Sequence, residues 1–180
     1  MNHNGINYLV AEHDIISSVE DLLPLLNGHW RINKEIYEEA VKLLIIFFRE
    51  YGDKFHHFKE EQVLFPKLNS KSEFSQPTLV EELEDHHELF REYVATLEAV
   101  LLDGDYEKVQ STLKSYVADL LDHIGAENDE LFVMAESLLT AEELEAMYFD
   151  FVDYDREIGD DKKQELCKIP IKVETILNMS

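Results

Sequence analysis

Four segments of the chain place apolar residues three and four positions apart, and in each the stripe is interrupted by a histidine where a leucine would serve. The first, residues 6–26, carries Ile6, Leu9, His13, Ile16, Val19, Leu23 and Leu26. The second, 33–68, carries Ile36, Ala40, Leu43, Phe47, Lys54, His57, Glu61, Leu64 and Leu68. The third reads Leu79, Leu83, His86, Phe90, Tyr93, Leu97, Val100, and the fourth Val109, Leu113, Tyr116, Leu120, His123, Glu127, Leu131, Met134. Only the short turn Asp103-Gly104-Asp105 separates the last two, so they must run antiparallel. The expected fold is all-α: an antiparallel up-down four-helix bundle in which every helix brings His or Glu to one buried point.

The boundaries follow from local chemistry. Pro24 predicts a kink or stop near the end of the first helix, and Asn33 is placed to cap the second. Residues 67–77, rich in Ser, Asn and Lys, read as a surface loop. Thr78-Leu-Val-Glu81 and Thr140-Ala-Glu-Glu143 both have the spacing of a capping box, the second opening a fifth helix that Gly159 ends. Residues 160–180 are expected to be a short packed tail. The organisation expected is a bundle over 1–135, with the fifth helix and tail of 136–180 packed on it as one domain; 180 residues suffice for a full helical core.

His57 and Glu61, like His123 and Glu127, stand four apart, which on a helix sets their Cβ atoms about 5–6 Å from each other on one face. Imidazole with carboxylate suits iron, zinc or manganese. An unpaired carboxylate in a core costs several kcal/mol or stays protonated, and a metal removes that cost. The candidate ligands are therefore His13, His57, Glu61, His86, His123 and Glu127. His56 and Glu60 have the same spacing one residue earlier, but 54, 57, 61 and 64 continue the apolar phase. His87 also neighbours Leu83 and Phe90; His86 is preferred. His3 and His29 read as surface residues, and Tyr93 and Tyr116 as core packing near the site.

Charge narrows the partners. With 39 acidic against 16 basic residues the net charge is −23, which repels phosphate backbones and anionic membrane surfaces, so neither nucleic acid nor membrane is an expected partner. One cysteine, Cys167, allows no internal disulfide and fits a reducing compartment. The longest apolar run, residues 43–48, falls far short of the roughly 20 a membrane span needs, and the first residues lack the pattern of a signal peptide. The expected location is the cytoplasm.

Glu12-His13, the run His56-His57-Phe-Lys-Glu-Glu61-Gln-Val-Leu-Phe-Pro66, Leu83-Glu-Asp-His86, and His123-Ile-Gly-Ala-Glu127 before Leu131-Phe132 together resemble the hemerythrin family, in its bacterial and archaeal HHE form. That resemblance implies a bundle holding two iron ions in an oxo- or hydroxo-bridged, non-haem di-iron centre. It implies His13 and His57 on one iron, His86 and His123 on the other, and Glu61 and Glu127 as bridges. Two positions depart from the oxygen carriers of the family: Phe90 stands where they have a second histidine on the third helix, and Asn128 where they have an aspartate. The second iron would then have two histidines rather than three. The function implied is binding or sensing of a small diatomic ligand, dioxygen or nitric oxide, or of redox state. The alternatives are an enzyme that reduces nitric oxide or peroxide or supplies iron for repair, and a storage or structural metal-binding module.

Overall fold

Asn4, Asn33, Asp105 and Thr140 each open a helix by one device, a short polar side chain whose oxygen satisfies a backbone N–H of the first turn. Asn4 Oδ1 accepts from Ile6 at 2.8 Å, Asn33 Oδ1 from Ile36 at 3.2 Å, and Asp105 Oδ1 from Lys108 at 3.0 Å. The computed structural model describes residues 3–179, and among them no strand occurs.

The first arm is α1 (Gly5–Ser17), a 3₁₀ stretch Ser18–Leu22 and α2 (Leu23–Leu26). The tighter winding falls where the Pro24 ring would collide with the carbonyl of Glu20, so the proline alters the helix before it rather than simply stopping it. Gly28 takes φ 77, which the turn into the second arm requires. That arm comprises α3 (Lys34–Ile46), two π-helical stretches, Phe47–His57 and Glu60–Leu64, and α4 (Phe65–Asn69). The third arm is α5 (Pro77–Leu102); the fourth is α6 (Tyr106–Ala126), a π turn Glu127–Leu131 and α7 (Phe132–Leu138). The bundle expected from the four stripes is the fold observed.

Each arm contributes to two separate apolar clusters. Ile16, Phe55, Phe90 and Leu120 join an aromatic-rich cluster with Tyr37, Phe47, Phe48, Tyr51 and Tyr116. Leu9, Leu64, Leu83 and Leu131 join the other, with Phe65, Phe132, Met147 and Phe151. Each fully buried side chain of this size contributes about 1.5–3 kcal/mol, so the clusters hold the arms together from both sides of a central polar layer. In every arm the histidines lie near where one set of cluster residues gives way to the other.

Beyond the arms lie α8 (Ala141–Ile158), α9 (Asp160–Cys167) and α10 (Ile169–Asn178). The expected tail is thus two further helices. Gly159, at φ 123, ends α8 as anticipated, while Pro170 sits in the first turn of α10, where its missing N–H costs nothing. α8 packs on α1, and α10 packs on α3, with its Val173 and Leu177 buried in the aromatic-rich cluster. Of the two expected capping boxes only the later one forms. α5 instead starts at Pro77 after Gln76, which makes no side-chain cap, because proline at the first helical position already presets the turn.

In the box that forms, Thr140 Oγ1 accepts from Glu143 N–H at 3.2 Å and Glu143 Oε2 accepts from Thr140 N–H at 2.9 Å. Lys71 Nζ ties the same carboxylate to the loop at 2.6 Å. Thr140→Ala is expected to cost about 1 kcal/mol and lower the melting temperature by roughly 2–4 °C, with metal content unchanged. Thermal denaturation beside metal analysis checks both halves of that expectation.

Candidate metal centre

The second arm winds in i→i+5 turns over Phe47–His57 and again over Glu60–Leu64, and each such turn takes one residue more than an α turn. The buried face therefore steps by four through Phe47, Tyr51 and Phe55, moves over by one residue, and steps by four again through His56, Glu60, Leu64 and Leu68. Lys54, an expected stripe position, is exposed, and Glu61 falls on the flank. The wide turns thus point both His56 and His57 inward and carry Glu60 into the centre.

The side chains that meet there are His13 from α1, His56, His57 and Glu60 from the second arm, His87 from α5, and His123 and Glu127 from the fourth arm. All seven are buried. Glu60 Oε1 lies 3.4 Å from His56 Nε2 and 3.9 Å from His13 Nε2, while its Oε2 lies 3.5 Å from His87 Nε2. Glu127 Oε2 is 3.2 Å from both His13 Nε2 and His123 Nε2. His57 stacks on His87 with ring centroids 3.9 Å apart and lies near His123, making a group of three imidazoles. Two sets of donors result, His13, His56, Glu60 and Glu127, and His87, His123, Glu60 and Glu127, with the carboxylates common to both.

Of the six side chains picked from the sequence, His13, His57, His123 and Glu127 are in this assembly, and the structure does not bring Glu61 or His86 into it. Both stand one layer out. Glu61 Oε1 accepts from His87 Nδ1 at 2.9 Å and from Arg91 Nη2 at 2.7 Å, and the half-buried His86 approaches His123 Nδ1 at 3.4 Å. The same pattern recurs at His13, whose Nδ1 donates to Asn128 Oδ1 at 2.9 Å, and at His56, whose Nδ1 donates to Glu12 Oε2 at 3.0 Å. Such partners fix which ring nitrogen carries the proton and turn the other one inward. His56, Glu60 and His87 are the residues sequence reasoning passed over. For His87 a signal was present: Val80, His87, Val94 and Leu101 share a face with Leu83, Phe90 and Leu97, whereas the rival face holds Tyr93, whose hydroxyl donates outward to Asp119 Oδ2 at 2.7 Å.

The inner atoms are badly placed for one another. With Nδ1 protonated, the Nε2 atoms of His13 and His56 are acceptors, and they face carboxylate oxygens that also accept. Those two Nε2 atoms and both oxygens of Glu60 and of Glu127 have no hydrogen bond. Leaving so many buried acceptors unpaired is costly, and a cation set among them satisfies all at once. Seven imidazole and carboxylate side chains converging on one dry point fit a metal.

Residues 4–135 match the family described as the hemerythrin HHE cation binding domain. The chain belongs to that family. Searches among curated proteins and among solved structures each returned no match. The clusters of this HHE protein are what its family's cation-binding character requires, and they lie within the matched residues.

In the metal-free HHE protein, protons take part of the cation's role. Burial, with Glu127 and Glu12 close by, drives Glu60 well above the usual carboxylate range. Burial opposes ionisation of Glu127 too, but His123 and His13 override it and hold this carboxyl well below that range. Burial also opposes the charge on His13, yet Glu127 and Asn128 raise it above the ordinary histidine value. His56 falls to about 3 through burial and the nearby His13. His13 and Glu60, both raised, must release protons before a metal can bind, so binding strengthens as pH rises through their folded values and weakens below. Adding ferrous or zinc ion to weakly buffered apoprotein should release protons, the more so as the pH is lowered toward those folded values. A pH indicator measures this, and no release would contradict the arrangement.

Proposed function

We propose that this HHE protein holds two iron ions at the centre and uses them to bind or sense a small diatomic ligand, dioxygen or nitric oxide, or the redox state of the pair. The observation that carries the reading is that Glu60 turns its two oxygens to two different groups of histidines, as a carboxylate bridging two metals must. In this assignment His13 and His56 would serve one ion, His57, His87 and His123 the other, and Glu60 and Glu127 both. His57 would then stand in for the histidine absent at Phe90. When bound, an iron pair would supply two redox-active centres able to take a small ligand.

The protein's own contribution is orientation and exclusion. Outer partners hold the inward imidazoles, the two apolar clusters seal the centre from both sides, and Phe132 stacks flat on His13 at 5.3 Å. A cavity of ≈ 80 Å³, lined by Phe48, Phe90, Val94 and Tyr116, reaches His57 and has room for a small ligand only. Asp53 and Arg91 also line it, with Arg91 Nε donating to Asp53 Oδ1 at 2.8 Å. No helix of the described residues is long and apolar enough to cross a membrane.

The test is metal content with iron supplied, followed by visible spectra of the reduced protein before and after dioxygen or nitric oxide. About two irons per chain and a stoichiometric spectral change support the reading. Turnover with a reductant would instead favour an enzyme reducing nitric oxide or peroxide. Iron that ignores both gases would favour storage or a structural role.

A further inference from the structure

The family match ends at residue 135, yet the helices that follow it reach the back of the metal centre. Glu12, already noted on His56 Nδ1, turns its other oxygen away from the histidine and toward two ammonium groups. Lys59 Nζ donates to Glu12 Oε1 at 2.6 Å and pairs as an ion with Asp155 Oδ1 at 2.7 Å. Lys163 Nζ donates to the same Glu12 Oε1 and to Asp155 Oδ2. Two anions and two cations thus alternate around a closed ring, with Asp155 on α8 and Lys163 on α9. Tyr8 closes one edge, donating to Asp155 Oδ2 and accepting from Lys163 Nζ at 3.1 Å.

Glu12, Lys59 and Asp155 are at most 3 % exposed, and the Lys163 side chain 14 %. Charges so placed act on one another through a low effective dielectric and are weakly screened by salt. Glu12 is the only member that touches a histidine of the centre, so whatever field α8 and α9 exert reaches the metal side through it. Of the two histidines in that set, His56 is the one hydrogen-bonded to the ring: His13 has a neutral amide, Asn128, at its Nδ1.

We propose that Asp155 and Lys163 are positioning residues which, through Glu12, set the electron-donating strength of the His56 imidazole and so the reduction potential of the iron it serves. The proposal rests on the di-iron reading above. Lys163 offsets part of the Glu12 charge. Without that ammonium Glu12 draws more strongly on the Nδ1 proton, the imidazole becomes a stronger donor, and ferric iron is favoured. Asp155 acts in the opposite sense, because it offsets Lys59 and Lys163; without its charge the two ammonium groups neutralise Glu12 more fully, and ferrous iron is favoured.

The experiment is a spectroelectrochemical titration of the iron-loaded full chain as wild type, Lys163→Met, Lys163→Arg and Asp155→Asn. At the wild-type midpoint, Lys163→Met should raise the ferric-to-ferrous ratio of one iron about tenfold, which is 59 mV for a one-electron couple. Asp155→Asn should shift the ratio the other way, and Lys163→Arg should restore the wild-type value. A purely structural ring predicts lower melting temperatures with no shift, or shifts of one sign in both variants, and either outcome overturns the proposal. Asp155→Asn, which keeps the carboxylate's shape, carries the test if the methionine variant does not fold. Should the wild type take up no iron, the functional reading fails, and the ring is judged on metal-free protein by the His56 Nδ1 proton resonance. Movement of that resonance in the charge-removing variants but not in Lys163→Arg upholds the coupling to His56; no movement overturns it.

Discussion

Glu60→Gln is expected to abolish paired metal binding while leaving the bundle intact. The amide matches the carboxyl in shape, and the metal-free fold already favours a neutral group there, since burial beside Glu127 and Glu12 holds Glu60 protonated. The metal-free variant should therefore melt no lower than metal-free wild type. Metal-loaded, it lacks the one side chain whose two oxygens face both histidine groups, so content should fall from about two ions per chain to one or none. Glu61→Gln makes the contrast. It loosens the hold on His87 Nδ1 and should weaken binding about 10–100-fold without changing the stoichiometry at saturating metal. Metal analysis of both variants decides between the two registers. Metal lost from the Glu61 variant and kept by the Glu60 variant would restore the choice made from the apolar stripe.

Stripping the metal from wild type should produce the largest change in stability. A ligand present at about a thousand times its dissociation constant stabilises the fold by about 4 kcal/mol, and for a chain of this size each kcal/mol moves the midpoint by about 2–4 °C. Chelation should thus lower the melting temperature by about 8–16 °C. The loss has a definite origin: without the cation, the inward acceptors of His13, His56, Glu60 and Glu127 lose the only group that satisfies them together. Scanning calorimetry with and without chelator measures it. Equal midpoints would mean that protons alone relieve the centre, and that the metal is not part of what holds the arms together.

The helices, their order and the polar layer between them were legible because periodicity and caps are local signals. Asn33 and the Thr140 box behave as their spacing indicates, and the fourth stripe runs true from Val109 through His123 and Glu127 to Leu131. Which residues of the second arm face the cluster was not legible, because counting at 3.6 residues per turn assumes an α-helix, and this arm winds as π through the centre. On α5 the count was right but ambiguous, since residues at 86 and 87 both adjoin Leu83 and Phe90. The charged ring was invisible for a different reason. Glu12, Lys59, Asp155 and Lys163 are far apart in the chain, and nothing local distinguishes them from the many acidic and basic residues of a solvated face.

The wide turns of the second arm also determine which changes of length the protein can tolerate. Removing one residue from Phe47–His57 would let a π turn tighten into an α turn, which closes the same full turn with one residue fewer, so the helix beyond it keeps its phase. The aromatic residues before that point and the helix after it would then keep their partners. A one-residue deletion within the α-helical Lys34–Ile46 meets no wide turn of its own and would swing the residues before it by about 100° relative to the centre. The two halves of this arm are joined as by a clutch: the extra residues let the upper half mesh with its aromatic neighbours and the lower half with the other histidines, in phases that a straight α-helix could not serve at once.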